Sequence, residues 1–436
     1  MATAKLRNVL YKGFVVELEY SKISVIGLGY IGLPTAATLA SRGVDVVGVD
    51  VNESAVNAIS KGKAHFSEPD LDMLVQSAVS TKKLRAQTTP EEADAFIIAV
   101  PTPFLDDHSG DLSYIQAAGR AIAKVLKPGN LVILESTSPV GTTQKLCEWI
   151  AQERPDLRLP DTHLDTPDIH MAYCPERILP GRMVFELVEN DRIIGGMTER
   201  CTDKATALYE IFVRGELHRT NAPTAELVKI MENAYRDVNI AFANEISTVC
   251  DALNLNAWEA ISLANRHPRV NILNPGPGVG GHCIAIDPWF LISHLPEKTR
   301  LMRMARKVND AKPNEVLDKV RHQIDRFRKP IVACLGLTYK PDVDDLRESP
   351  ALHIVEVLAK ESNAELLVVE PNIAQLPATL TNYERVKKIK LDEALERADI
   401  IVVLVGHKKF AKIDNRKIHE SVVIDTIGLW QVNTYK

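Results

Sequence analysis

Three glycines in the run Gly27-Leu28-Gly29-Tyr30-Ile31-Gly32 stand between an apolar stretch, Lys22-Ile23-Ser24-Val25-Ile26, and a segment that reads as a helix to about residue 42. A second apolar run, residues 44–49, ends in Asp50. Near-continuous apolar runs of this length are the mark of strands buried on both faces. A helix between two of them makes a βαβ unit, which commits the chain to a parallel sheet covered by helices. The unit also carries chemistry. The first glycine permits a tight turn, the second lets a pyrophosphate approach the backbone, and the third lets helix pack on strand. The helix N-terminus turns unpaired N–H groups toward the phosphates. An acid ending the second strand bonds ribose hydroxyls and repels a 2′-phosphate, so NAD rather than NADP is the expected cofactor. Gly27, Gly29, Tyr30, Ile31, Gly32 and Asp50 are expected to hold it.

Apolar runs at 95–100 and 131–134 extend the first sheet. Residues 224–253 contain neither Gly nor Pro, and Pro223 suits a helix start. Such a helix, about 45 Å long at 1.5 Å per residue, bridges domains or packs on a partner, and a homodimer or higher homo-oligomer is expected. A second α/β pattern begins at Pro330-Ile331-Val332-Ala333-Cys334-Leu335-Gly336-Leu337 and runs through a strand ending in Glu370. It echoes the first but keeps one of the three glycines, so a nucleotide-bearing substrate is its expected occupant. The expected fold is α/β: two Rossmann-like doubly wound domains joined by a long central helix or helical domain. The boundaries read as 1–21, an arm of no assigned role; 22–220, binding NAD; 221–325, helical and dimerising; and 326–436, binding UDP.

Of the 436 residues, 45% are apolar and 25% charged, as in ordinary globular proteins. A net charge of -5 argues against a nucleic-acid or membrane-surface partner. Six scattered cysteines without a CxxC pair fit a reduced, cytoplasmic setting and give no metal signature.

The run Pro275-Gly276-Pro277-Gly278-Val279-Gly280-Gly281-His282-Cys283 presents a thiol on a loop that can pass close to a ligand, with Gly280 among its contacts. Cys283 is either a nucleophile or a small apolar filler. Turns after two strands carry Thr102 and Thr137, beyond the strand ends where ligands of such sheets bind. Lys229 and Asn233 are four apart and share a helix face; the lysine is either a buried functional cation or a snorkelling one. Glu176 and Arg177 follow another apolar stretch. Arg269, Lys340 and Arg347 are loop cations suited to phosphate or to surface ion pairing.

Taken together, the glycine fingerprint, Glu135-Ser136-Thr137-Ser138-Pro139, Glu226-Leu227-Val228-Lys229 with Asn233 and Asn244-Glu245, and Gly280-Gly281-His282-Cys283 with Asp287 resemble the UDP-glucose/GDP-mannose dehydrogenase family, in its N-acetylated-sugar branch. The resemblance runs from about Ile23 onward. It implies oxidation of the C6 alcohol of a UDP-sugar to a carboxylate with two NAD⁺, for surface polysaccharide. It makes Cys283 the nucleophile of a thiohemiacetal and thioester, Lys229 the acid/base or oxyanion residue, and Asp287 an activator of water. Asn233 would contact the reacting centre, and Glu176 and Thr137 would be water-positioning and active-site residues. Arg269 would reach a neighbouring subunit's substrate site, while Lys340 and Arg347 would serve the uridine-diphosphate and cofactor side. Three rivals stand beside it: a same-class 6-dehydrogenase of UDP-N-acetylglucosamine or UDP-glucose, a single-step 3-hydroxyacid-type dehydrogenase, which forms one NADH, and a non-catalytic nucleotide-binding protein.

Overall fold

The computed structural model describes residues 8–11, 14–17, 19–66, 68–103, 105, 107–160, 166–178, 181–281, 283–412, 418 and 421–430. The chain packs as two units, Met1–Met231 and Glu232–Lys436. The N-terminal arm carries an antiparallel pair, β1 (Asn8–Tyr11) and β2 (Phe14–Glu17).

The first unit continues with β3 (Lys22–Ile26), α1 (Gly32–Ser41), β4 (Asp45–Val49), α2 (Glu53–Ser60), α3 (Leu71–Ser80), β5 (Leu84–Gln87), β6 (Ala95–Ile98) and α4 (Ser113–Ala123). It goes on through β7 (Leu131–Leu134), α5 (Thr142–Glu153), β8 (His170–Tyr173), α6 (Met183–Glu189), β9 (Arg192–Gly196), α7 (Glu199–Tyr209) and β10 (Leu217–Asn221). The sheet order is β10-β9-β8-β7-β6-β3-β4-β5. Winding reverses between β3 and β6, and the crevice beyond their carboxyl ends is where such sheets take ligands. Successive side chains on a strand face opposite ways, which is why these strands are apolar throughout. Val25, Ile97 and Ile133 join the layer that α1 covers with Leu33, Ala36 and Leu39. Ile26, Phe96, Ile98 and Val132 join the opposite layer with Ile122 and Leu146.

The parallel expectation fails at one place. β9 runs antiparallel to β8, pairing Ala172 with Gly196 and Tyr173 with Gly195. Every other neighbouring pair in this sheet is parallel among the described residues. The reversal has a local consequence: the same register continued past the ladder sets Arg192 opposite Glu176.

The long helix α8 (Ala222–Leu253) has 32 residues and crosses the division between the units. Asn221 caps its start by accepting the Thr224 N–H at 2.9 Å, and Pro223 sits where its missing N–H costs nothing.

The second unit holds the remainder of α8, then α9 (Ala257–Ala264), α10 (Asp287–His294), α11 (Arg300–Ile324), β11 (Ile331–Leu335), α12 (Pro350–Glu361), β12 (Glu365–Val369) and α13 (Ala378–Thr381). The elements β13 (Val386–Lys388), α14 (Leu391–Arg397), β14 (Ile400–Val403) and β15 (Val422–Asp425) complete it. Its all-parallel sheet has the order β13-β12-β11-β14-β15, so winding reverses beside β11. β11 again feeds two layers, Val332 and Cys334 to one, Ala333 and Leu335 to the other. Helices α8 and α11 meet through a buried polar seam. Arg306 pairs with Asp237 at 2.6 Å, Asn309 donates to Asp237, and Asn244 donates to Asn309 at 2.9 Å. Polar groups this deep are costly unless paired, so these bonds set the register of the two helices, although one Asp237 oxygen and the Arg306 Nε are buried without a hydrogen-bond partner among the described residues.

Candidate active site

The turn after β3 is built as the glycine spacing requires. Gly27 has φ +90 and donates to the Val49 carbonyl at 2.8 Å, and a Cβ on it would lie 2.6 Å from the Ala99 carbonyl oxygen. A Cβ on Gly32 would lie 1.8 Å from the Gly27 oxygen. At Gly29 a Cβ would meet nothing within 4 Å, so the backbone there is open to a ligand. Helix α1 starts at Gly32 with no acid in its first turn and no side-chain cap. Its amino end is therefore left to an anion. Asp50 accepts the Leu28 N–H on one oxygen and the Asn52 N–H on the other, both at 2.8 Å, and is half-buried. Those two bonds aim the carboxylate without using all its lone pairs. Open backbone, uncapped helix end and aimed acid fit a dinucleotide with a free 2′-hydroxyl. Ile31 stands at the N-cap of α1. Exposed Tyr30 rests on Phe66, ring centroids 4.4 Å apart.

Two other expected turns are clasped together. Thr102 donates its hydroxyl to the Thr137 carbonyl, and Ser136 donates to the Val100 carbonyl at 2.7 Å. Glu226 of α8, fully buried, accepts the Gly141 N–H at 2.6 Å and the Thr143 N–H at 2.7 Å. It thereby ties the Thr137 turn and the start of α5 to α8, one turn before Lys229. Lys229 is half-buried and donates its ammonium to the main-chain carbonyl of Glu176 at 2.7 Å. The Glu176 carboxylate is turned inward, onto the Arg192 guanidinium and the Arg177 N–H. Arg177 reaches the Asp191 carbonyl at 3.3 Å.

In the second unit Asn233, also on α8, donates to the Asp287 carboxylate at 2.5 Å, and both are buried. Asp287 opens α10, where the positive helix end favours an anion. The Cys283 thiol is exposed, and its carbonyl accepts the N–H groups of Ile286 and Asp287 at 3.1 and 2.8 Å. That fastens the cysteine to the start of α10. Its loop is glycine-rich for a steric reason. A Cβ on Gly280 would lie 2.4 Å from the Glu348 oxygen, and one on Gly281 would lie 2.6 Å from the Tyr339 ring. Only bare backbone can lie against the segments that carry Lys340 and Arg347. Asn244 holds the loop from the other side by accepting the Gly276 N–H at 2.9 Å. The Lys340 ammonium stands 5.7 Å from the Tyr339 ring centre. Arg347 is exposed and forks onto Asp345, and Arg269 is exposed on the stretch after α9.

Several residues that frame these groups carried no sequence expectation of their own. Glu226 and Asn244 were visible only as parts of motifs. Glu68 accepts the N–H groups of Gly181 and Met183, each at 2.8 Å, and so pins the chain just past Glu176 and Arg177. Arg192 and Glu135 are buried members of one cluster, 3.5 Å apart. The available signal for Arg192 was a charge opening the apolar run 193–196.

An NAD-type fingerprint and a lysine on one unit, with a presented thiol beside loop cations on the other, define the class: an NAD-dependent dehydrogenase of nucleotide sugars. The profiles of the UDP-glucose/GDP-mannose dehydrogenase family match the chain in three parts: the NAD binding domain at residues 21–213, the central domain at 223–311 and the UDP binding domain at 333–432. The chain belongs to that family, and its cofactor is NAD. It is 58% identical over 415 residues to the NDP-N-acetyl-D-galactosaminuronic acid dehydrogenase of Ralstonia nicotianae, covering 95% of this chain and 97% of that one. It is 58% identical over 401 residues to the UDP-N-acetyl-D-mannosamine dehydrogenase of Campylobacter jejuni, covering 92% and 98%. Among solved structures, the UDP-N-acetyl-mannosamine dehydrogenase Cap5O of Staphylococcus aureus superposes with a TM-score of 0.82 at 41% identity, covering 93% and 94%.

Proposed function

We propose that the chain oxidises the C6 alcohol of UDP-N-acetyl-D-mannosamine to the carboxylate. The hydride acceptor is NAD⁺, and two molecules of it, exchanged in turn, would each take one hydride per sugar oxidised. Lys229 takes part in moving the proton of the C6 hydroxyl and steadies the negative charge that develops on that oxygen. Cys283 adds as thiolate to the aldehyde carbon, giving a thiohemiacetal whose oxidation leaves a thioester. Water then displaces the sulfur, with Asp287 and Asn233 orienting it and Asp287 receiving its proton. Thr137 and inward-turned Glu176 shape the pocket wall. Gly280, Arg177, Arg269 and Lys340 serve the nucleotide sugar, and Arg347 serves the cofactor side.

The observation that carries this reading is the exposed Cys283, on a glycine loop fastened to the helix start that holds Asp287 bonded to Asn233. Six thiols without a disulfide support a reduced, cytoplasmic setting. Among the described residues no helix is long and apolar enough to cross a membrane. We propose as well that two copies associate through α8.

The decisive assay counts NADH per sugar. Two are expected from the wild type and none in steady turnover from Cys283→Ser, which still binds substrate. Normal carboxylate formation by that variant sinks the nucleophile. The Ralstonia relative, as similar as the Campylobacter one, favours a second reading, an N-acetylgalactosamine-type sugar. A panel of UDP-N-acetylhexosamines with NAD⁺ decides between the two sugars, which differ at C2 and C4.

A further inference from the structure

Beneath Glu176 lies a cluster to which the proposed reaction gives no task. Arg192 opens β9 and is 3% exposed. One guanidinium nitrogen meets the Glu176 carboxylate, another lies 3.5 Å from Glu135, and the group stacks 4.9 Å from the Tyr209 ring centre. Tyr209 donates its hydroxyl to the same Glu135 oxygen at 2.5 Å. The second Glu135 oxygen is buried without a hydrogen-bond partner among the described residues.

One cation between two buried carboxylates satisfies them unequally. An ionised carboxylate with an orphaned oxygen is expensive away from water. Glu135 is therefore best accommodated as the neutral acid, and burial pushes its carboxyl up to about 7, with Arg192 opposing the rise. The Arg192 charge is then committed to Glu176. Since the Glu176 side chain is drawn toward the sheet, its main-chain carbonyl is what meets Lys229, at 2.7 Å.

We propose that Arg192 is a positioning residue for Lys229, acting by anchoring the Glu176 side chain so that the Glu176 carbonyl aims the ammonium. The idea rests on the reading of Lys229 as the residue that handles the C6 oxygen. The titratable and charged groups of the cluster are Glu135 beyond β7, Cys174, Glu176 and Arg177 beyond β8, Arg192 on β9, Tyr209 on α7 and Lys229 on α8.

The test uses the full-length enzyme and four proteins: wild type, Arg192→Lys, Lys229→Ala and the double variant. Each is assayed for kcat, for KM toward NAD⁺ and UDP-sugar, and for the pH profile of kcat. Lysine keeps the charge but cannot address both carboxylates. Arg192→Lys is expected to lower kcat roughly ten- to hundredfold, as misplacement of a reacting group by about 1 Å does, with KM for NAD⁺ nearly unchanged. It should also move the limb of the pH profile that Lys229→Ala abolishes, and the double variant should be no slower than Lys229→Ala. A kcat loss with that limb unmoved, or losses that multiply in the double variant, overturns the proposal. Should Arg192→Lys fail to fold, Tyr209→Phe removes one support of the cluster without altering charge. A smaller movement of the same limb is then expected, and a stationary limb overturns the idea. Full turnover by Lys229→Ala overturns the parent reading and this one with it. An impaired Lys229→Ala beside an unimpaired Arg192→Lys overturns this one alone.

Discussion

At the scale of single residues, the three fingerprint glycines do different work, and the structure separates them. Gly32 is glycine because the Gly27 carbonyl occupies the place of its Cβ, whereas Gly29 is glycine although the space beside it is open. The first is a demand of packing, whereas the second has no demand from packing and is left for the proposed dinucleotide to explain. Gly32→Ala is therefore expected to destabilise the first unit by about 1–3 kcal/mol, the usual cost of overpacking. Gly29→Ala should leave the melting temperature nearly unchanged while weakening NAD⁺ binding at least tenfold. Thermal melts and titration calorimetry on the two variants check this, and a Gly29→Ala protein with intact affinity refutes it. The glycines and Asp50 were legible in the sequence because local backbone geometry selects them, as was the need for a bare loop before Cys283. What that loop lies against, the Glu348 carbonyl and the Tyr339 ring, was not legible, because those residues are remote in the chain and only folding brings them there.

At the scale of elements, the long apolar runs disclosed the strands, and the Gly- and Pro-free stretch disclosed α8. Strand direction was hidden, because a buried strand has the same composition whichever way it runs. The antiparallel β9 was missed for that reason, and with it the register that brings Arg192 to Glu176. The pairing leaves a measurable trace through Glu135, whose burial raises its carboxyl from the ordinary range to about 7. Folded protein thus keeps a proton that the unfolded chain releases near pH 4.3. The stabilisation from this group is complete below that pH, declines as pH rises toward 7 and is gone above it. Glutamine cannot ionise, so Glu135→Gln lacks the decline. Urea unfolding at pH 5 and pH 8 is expected to show wild type losing stability relative to Glu135→Gln between the two. A constant difference between the proteins would falsify the assignment of a neutral acid.

At the scale of the whole molecule, the two Rossmann-like halves use one device for different ends. Asp50 accepts the N–H groups of Leu28 and Asn52; Glu370 accepts those of Leu337 and Asn372. Gly27 donates to Val49 as Gly336 donates to Val369. The difference is His407, fully buried in the second half. Its Nδ1 accepts the Asp342 N–H at 3.0 Å, which leaves the proton on Nε2, 3.0 Å from Glu370. Glu370 is spent inside its own domain, while half-buried Asp50 remains available to a ribose. That difference is a physical reason to expect the dinucleotide at Asp50 rather than at Glu370. Among the described residues, one exposed apolar surface follows a helix. Leu227, Met231, Tyr235, Phe242, Val249 and Leu253 are all exposed on α8. They recur at steps of four and seven residues, which at ~100° per residue confines them to one stripe. Scattered exposed apolar residues are ordinary, but a continuous row about 40 Å long exceeds what a monomer leaves in water. A second copy is the expected cover, since a helix stripe can pack on its own image across a two-fold axis. Light scattering coupled to size exclusion should give the mass of two chains for the wild type. Phe242→Glu together with Tyr235→Glu places charge on the stripe without touching a residue assigned to the chemistry, and should give the mass of one chain with the circular dichroism of the folded protein retained. A double variant that stays dimeric shows that another face holds the copies together.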